Sequence, residues 1–177
     1  GVSQHTIQSY FSILEDCLIV DRVEPISENQ FHRKKLIKSE KYLFYDLGVR
    51  RAAAKDPKDL PLHKLGSIFE QWVGIEILRF IRNHDLQASL RFWSDPNGPE
   101  VDWIIEFEQK YFPIEVKWTQ RPEIRDGRHL KTFQKEYNRS AEGIILFQGD
   151  RNLQLSDATK CVSHTHFLKW LKDTLLS

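Results

Sequence analysis

The 177-residue chain has no methionine and only two cysteines, Cys17 and Cys161, far apart in sequence. With no cysteine-rich spacing, they fit buried thiols of an intracellular protein better than a disulfide framework. Long apolar runs are missing too. "GIILF" at 143–147 is typical of the longest, against the roughly 20 residues that a membrane helix requires. No signal-peptide pattern opens the chain, so the expected location is the cytoplasm, without membrane contact. A Gly-x-x-x-x-Gly-Lys phosphate loop is also lacking, so this stretch is not expected to hydrolyse nucleotides. Net charge is only +1, and any nucleic-acid contact must come from a local basic patch. The opening Gly1-Val2-Ser3 reads as the start of a trimmed piece of a longer protein.

What the chain does have is enough apolar material for a core: 40% hydrophobic residues, with five Trp and eleven Phe. Ser3 is placed to cap a first helix with Ile7, Tyr10, Phe11 and Leu14 at helical spacing. "CLIVDRVEPI" reads as a strand ending at Pro25, and "YLFYD" at 42–46 as a second. Between them lies the basic stretch "SENQFHRKKLIKSEK". Helix, strand, basic turn and strand outline a small winged-helix-like α+β segment over 1–54. A short helix, "LGVRRAAA", closes it, and a Pro- and Lys-bearing linker at 55–65 separates it from a second unit at 66–177.

The second unit opens with "GSIFEQWVGIEILRFIRNH", whose apolar residues cover a wide helical face. Three strand-like runs follow, "ASLRFWSD", "PEVDWIIEF" and "YFPIEVKW". An amphipathic helix carries Leu130, Phe133 and Tyr137, "GIILFQG" makes a buried strand, and Ser163 can cap a closing helix. The expected class is α/β, in the order α-β-β-β-α-β plus the last helix, around a small mixed sheet. The first three strands should run antiparallel, and the fourth parallel to one of them.

Charges in the middle of this sheet need a reason. Residues two apart on a strand share a face, so Glu115 and Lys117 point together. Asp102 should face one side, with Val101 and Trp103 on the other. If the two strands pair around the "FEQKY" turn, Asp102 and Glu115 become cross-strand neighbours. Adjacent carboxylates repel unless a proton or cation lies between them. Mg2+ binds through one or two carboxylates with waters and phosphate oxygens. A neighbouring lysine can orient or help deprotonate an attacking water and stabilise phosphate charge. The plain alternative is a solvated sheet face with one Glu–Lys pair, worth little in energy.

"PEVD" and "IEVK" resemble the PD-(D/E)XK, or restriction-endonuclease-like, nuclease superfamily. "KYLFYDLGVRR", "LGSIFEQWVGIEI", "PEVDWII" and "FPIEVKW", in that order, resemble the C-terminal domain of unknown function 4143 of prokaryotic AAA+ ATPases. "VSQHTIQSYFSILEDCLIV" is similar to the winged-helix-like segment that precedes it there. The resemblance implies a restriction-endonuclease-like core and Mg2+ or Mn2+ as cofactor. Asp102 and Glu115 match its metal-binding acids, Lys117 its catalytic lysine, and Glu70 a supporting acid on the first core helix. The Val116 carbonyl would join the ion. The acid follows Glu100-Val101 where the superfamily has Pro-Asp. The implied partners are nucleic acid, DNA first, and an N-terminal ATPase region of the same polypeptide outside this sequence.

Other residues leave two readings open. Glu76 competes with Glu70 on the same helix. Arg33, Lys34, Lys35 and Lys38, with Lys41, form either a DNA-gripping wing or a solvated loop. Arg121, Arg125 and Arg128 would extend a basic rim. Trp118 serves packing or base stacking. His164 and His166, two apart at a helix start, share no face and are not expected to ligate a metal. Two functions follow from different classes: a metal-dependent nuclease, or a silent nuclease-fold module that binds DNA or a protein partner for the ATPase.

Overall fold

In the computed structural model, which describes residues 2–26, 40–95, 98–156 and 159–176, the organising element is a tight hairpin. Strands β4 (Glu100–Phe107) and β5 (Lys110–Lys117) pair antiparallel from Phe107↔Lys110 to Trp103↔Ile114. Glu108 and Gln109 both take positive φ, +48° and +62°. That is the backbone of a two-residue turn whose twist matches the flanking strands. The buried residues of both strands, Val101, Trp103 to Ile105 and Pro113 to Val116, make this pair the middle of the sheet.

Around it the chain lays down β1 (Val20–Pro25), β2 (Lys41–Phe44), β3 (Ser89–Ser94), β6 (Ile144–Phe147), β7 (Leu153–Ser156) and β8 (Thr159–Ser163). The eight strands form one mixed sheet in the order β2-β1-β3-β4-β5-β6-β8-β7. β3, β4 and β5 are antiparallel neighbours and β6 lies parallel to β5, as the short turns and the crossing helix predict. The sheet is larger than expected in two ways. β1 runs parallel to β3, which carries the β1–β2 hairpin onto the same sheet. The polar run after β6 forms the β7–β8 hairpin, with β8 parallel to β6.

Among the described residues, five α-helices accompany the sheet: α1 (Gln4–Asp16), α2 (Leu47–Ala53), α3 (Leu62–Asn83), α4 (Arg128–Glu136) and α5 (Phe167–Leu175). Ser3 caps α1 by accepting the Thr6 N–H, as its position predicts. On one face of the sheet, Phe69, Val73, Ile77 and Ile81 of α3 and Phe167, Leu171 and Leu175 of α5 pack with Trp103, Ile105, Ile114 and Val116. On the other, Leu130, Phe133 and Tyr137 enclose Trp93, Ile104, Tyr111 and Phe147. The molecule is thus an α/β sandwich of helix, sheet and helix layers. Gly74 lets α3 lie close on the sheet: a Cβ there would meet Leu43 Cδ1 at 2.8 Å and Trp103 Cζ2 at 2.9 Å.

The cysteine expectation holds for Cys161, which is buried, and fails for Cys17, which is exposed. Cys17 caps the end of α1, where the chain turns at Leu18 with φ +57° and faces solvent. Among the described residues, no helix is long and apolar enough to cross a membrane.

Candidate functional site

Asp102 owes its position to an irregularity in β4. Arg91 pairs with Ile104 and Trp93 with Val101, so Phe92 alone opposes both Asp102 and Trp103. This β-bulge breaks the period-two alternation. Val101 therefore packs on the α4 side while Trp103 packs on the α3 side, which corrects the expectation that they share a face. The displaced Asp102 carboxylate accepts the Val116 N–H through Oδ2 at 2.8 Å. Trp103 in turn donates its indole N–H to the Glu70 carbonyl at 2.9 Å, tying the bulge to α3.

On β5, Ile114 and Val116 belong to the α3-side core, so Glu115 and Lys117 point the opposite way. Lys117 Nζ donates to Glu115 Oε1 at 2.6 Å. Glu115 is only 4% exposed, and its second oxygen, Oε2, is buried with no hydrogen-bond partner. A buried carboxylate oxygen without a donor is costly. Burial, and then the charge of Asp102, push the Glu115 carboxyl up to about 8. Burial and then the charge of Glu70 push Asp102 up to about 6, against the pull of the Val116 N–H. Burial alone would lower Lys117, but the charge and hydrogen bond of Glu115 outweigh it and hold the ammonium above its ordinary value.

A second lysine acts on Asp102 from β2, on the α3 side of the sheet. Lys41 Nζ donates to Glu70 Oε1 at 2.8 Å and lies 3.0 Å from Glu100 Oε1. Its ammonium also sits over Trp103 and Phe92, 4.9 and 5.1 Å from the ring centroids. Asp102 feels both lysines and so stands between two Lys–Glu pairs. The sequence left Lys41 on a DNA-gripping wing or a solvated loop; the structure engages its ammonium with Glu70 and Glu100. Its neighbours Arg33, Lys34, Lys35 and Lys38 lie outside the described residues. Nothing in sequence spacing links residue 41 to residues 70, 100 and 102.

Glu70 is thus part of the cluster, whereas Glu76 pairs with Arg79 at 3.0 Å nearly two turns further along α3. Arg125 is spent on Glu123 at 2.9 Å, Arg128 donates to His129 Nε2, and Arg121 is exposed. Trp118 packs edge-on against Phe69 with 39% of its surface exposed. His164 also meets the Phe69 ring. Burial holds the Cys161 thiol up to about 11, with Asp126 adding to it, which favours the protonated thiol over the reactive thiolate.

Four carboxyl groups (Glu70, Glu100, Asp102 and Glu115) therefore face two ammonium groups, Lys41 and Lys117. Ionised, the cluster carries two negative charges in excess, and the raised Asp102 and Glu115 show that it holds them poorly. Among the described residues, no group of three or more His, Cys, Asp or Glu side chains is arranged to hold a metal ion. The Asp102–Glu115 pair nonetheless fits a hard divalent cation in its chemistry. Two carboxylates are what a Mg2+ site takes from a protein, and the unpartnered Glu115 Oε2 lacks only a positive partner.

Residues 65–167 match the family model of a domain of unknown function (DUF4143), and residues 1–60 match that of a second domain of unknown function (DUF8612). No curated protein and no solved structure matches the chain. Glu70, Glu100, Asp102, Glu115 and Lys117 fall within the first match and Lys41 within the second.

Proposed function

The chain belongs to the DUF4143 family of domains of unknown function, and we propose that within it the protein is a divalent-metal-dependent nuclease that hydrolyses phosphodiester bonds, DNA first, as the C-terminal part of an AAA+-type ATPase. The observation that carries this reading is the half-buried Asp102 and the buried Glu115 beside Lys117, with one Glu115 carboxylate oxygen unpartnered. The run α3-β3-β4-β5-α4-β6 supports a restriction-endonuclease-like core, and α1-β1-β2 ahead of it supports the winged-helix-like reading.

Asp102 and Glu115 would hold Mg2+ or Mn2+, with the Val116 carbonyl beside them. The ion would supply Lewis-acid polarisation of a phosphate oxygen and a more acidic water. The chain's own groups have separate tasks. Lys117 is held protonated by Glu115 and Asp102, so it acts as a donor: its ammonium orients water and stabilises charge growing on a phosphate oxygen, and it does not accept a proton. The Val116 N–H fixes the Asp102 carboxylate, and the Trp103 indole holds the bulge against α3. The exposed Arg121 and Trp118 offer a phosphate contact and a stacking face at the rim.

A silent module that binds DNA or a protein partner for the ATPase is the second reading, favoured by the engagement of Glu70 with Lys41. Incubation with supercoiled plasmid, linear duplex and single-stranded DNA in Mg2+ or Mn2+ separates the two. The nuclease reading expects cutting that falls at least ~100-fold in Glu115→Ala. No cutting of any substrate, together with no Mn2+ binding, overturns it.

A further inference from the structure

Helix α4 buries Leu130 and Phe133 against the sheet and leaves Arg128, Lys131, Thr132 and Lys135 exposed. Those four positions follow one another at helical spacing and make a single stripe on the solvent face. Three of them are cations and none is a carboxylate. Like charges three and four residues apart oppose helix formation. The rest of the chain does not tolerate this: basic and acidic residues number 26 and 25, and on α3 Arg79 is answered by Glu76 and Arg82 by Asp21. Among the described residues, no ion pair engages Lys131 or Lys135. A stripe of one sign that weakens its own helix, in a chain otherwise balanced, breaks a local rule with no gain to the fold, and such breaks mark function.

The stripe starts beside the candidate site. Arg128 donates through Nε to His129 Nε2 at 3.0 Å, which leaves Nδ1–H to donate to the Glu100 carbonyl, also at 3.0 Å. Glu100 opens β4, two residues before Asp102. From Arg128 the helix carries Lys131 and then Lys135 away from that point, on the side of the sheet to which Glu115 and Lys117 turn. Arg128 to Lys135 spans about 10 Å of helix axis. One strand of a duplex offers a phosphate every ~3.4 Å of its own axis, so about three phosphates face three cations. Resting on the nuclease reading, we propose that Arg128, Lys131 and Lys135 form the surface that grips the phosphates of one strand of duplex DNA and leads that strand to the Asp102–Glu115 pair. Contacts of this kind set the position of the duplex and do not read its sequence.

The test reads binding without cleavage. Fluorescence anisotropy of a labelled DNA duplex in EDTA, over a range of salt concentrations, compares three proteins: the wild type, Lys131→Gln/Lys135→Gln, and Lys169→Gln/Lys172→Gln. The last removes the same charge from exposed positions of α5, on the opposite face of the sheet. The stripe variant is expected to bind at least ~10-fold more weakly at low salt, with the slope of log K against log salt shallower by about 2, the counterions of two lost phosphate contacts. The α5 variant should stay within about 2-fold of the wild type, as bulk charge alone would dictate. The stripe variant should melt no lower than the wild type, because its substitutions relieve like-charge repulsion. Equal binding by the stripe variant and the wild type, or an equal loss in the α5 variant, overturns the inference and leaves the nuclease reading to its cleavage test. No duplex bound by the wild type at low salt overturns the inference and counts against DNA as the substrate as well. A stripe variant that loses phosphatidylserine vesicles but keeps the duplex makes this a lipid surface, and that too overturns it.

Discussion

Replacing Glu115 with Gln should make the metal-free protein more stable at pH 8.5 while destroying cleavage. In the native chain the Glu115 carboxyl titrates at about 8 against an ordinary 4.5, and Asp102 at about 6 against 3.8. Both are raised, so between these limits the folded state binds more protons than the unfolded chain. Their contribution is fully present below about pH 4 and is lost as pH rises, through about 6 for Asp102 and about 8 for Glu115. Melting temperature should therefore fall from pH 5 to pH 8.5 in the absence of metal. Glu115→Gln removes the larger of the two proton linkages and takes away the carboxylate neighbour of Asp102 on β5. The loss it spares is on the order of 3–5 kcal/mol, or roughly 10 °C in a domain of this size. Mg2+ should restore the wild type at pH 8.5 and leave the variant unmoved. Parallel pH profiles for the two proteins would show that the pair is not strained by its own charge.

The second large effect belongs to Lys117. Its ammonium lies 2.6 Å from Glu115 Oε1 and is held charged by it, so its use is electrostatic. Lys117→Met is expected to lower kcat by ~100–1,000-fold, the cost of losing one well-placed donor to a developing oxyanion. KM for DNA should change little. Without its ammonium partner, Glu115 titrates still higher, so Mn2+ affinity at pH 7 drops and recovers as pH rises. Lys117→Arg keeps the charge and should retain more activity than Met. If Lys117→Met cleaves as fast as the wild type, the lysine only balances charge and takes no part in the reaction.

The sequence carried the local elements well because each rests on short-range patterns. Ser3 caps α1, the apolar face of α3 buries Phe69, Val73, Ile77 and Ile81, and the polar turn at Glu108-Gln109 joins the two strands that bear the acids. Asp102 and Glu115 are neighbours because that hairpin has a two-residue turn, which fixes register from its tip. What escaped depends on longer range. The bulge opposite Phe92 leaves no mark in "PEVDW", since Val, Asp and Trp read as an ordinary alternation. β7 exposes Leu153 and Gln154 at the sheet edge and so shows no buried face. β8 buries Thr159 and Ser163, whose polarity hid the strand. There the Asn152 side chain accepts the Ser163 N–H and the Gly149 carbonyl accepts its hydroxyl, so a buried polar residue is satisfied by the loop before it. Lys41 reaches Glu70 and Glu100 only because β1 joins β3 in parallel, a pairing between segments some 65 residues apart that no motif announces.

The account stands on the claim that the Asp102–Glu115 pair is a divalent-cation site. Isothermal titration of Mn2+ into the metal-free protein at pH 7, in two buffers of different ionisation heat, tests it most directly. Because Glu115 is largely protonated at that pH, the account predicts binding with release of roughly one proton per ion, and neither binding nor release in Glu115→Gln. Absence of binding in the wild type, or undiminished binding in the variant, would contradict it.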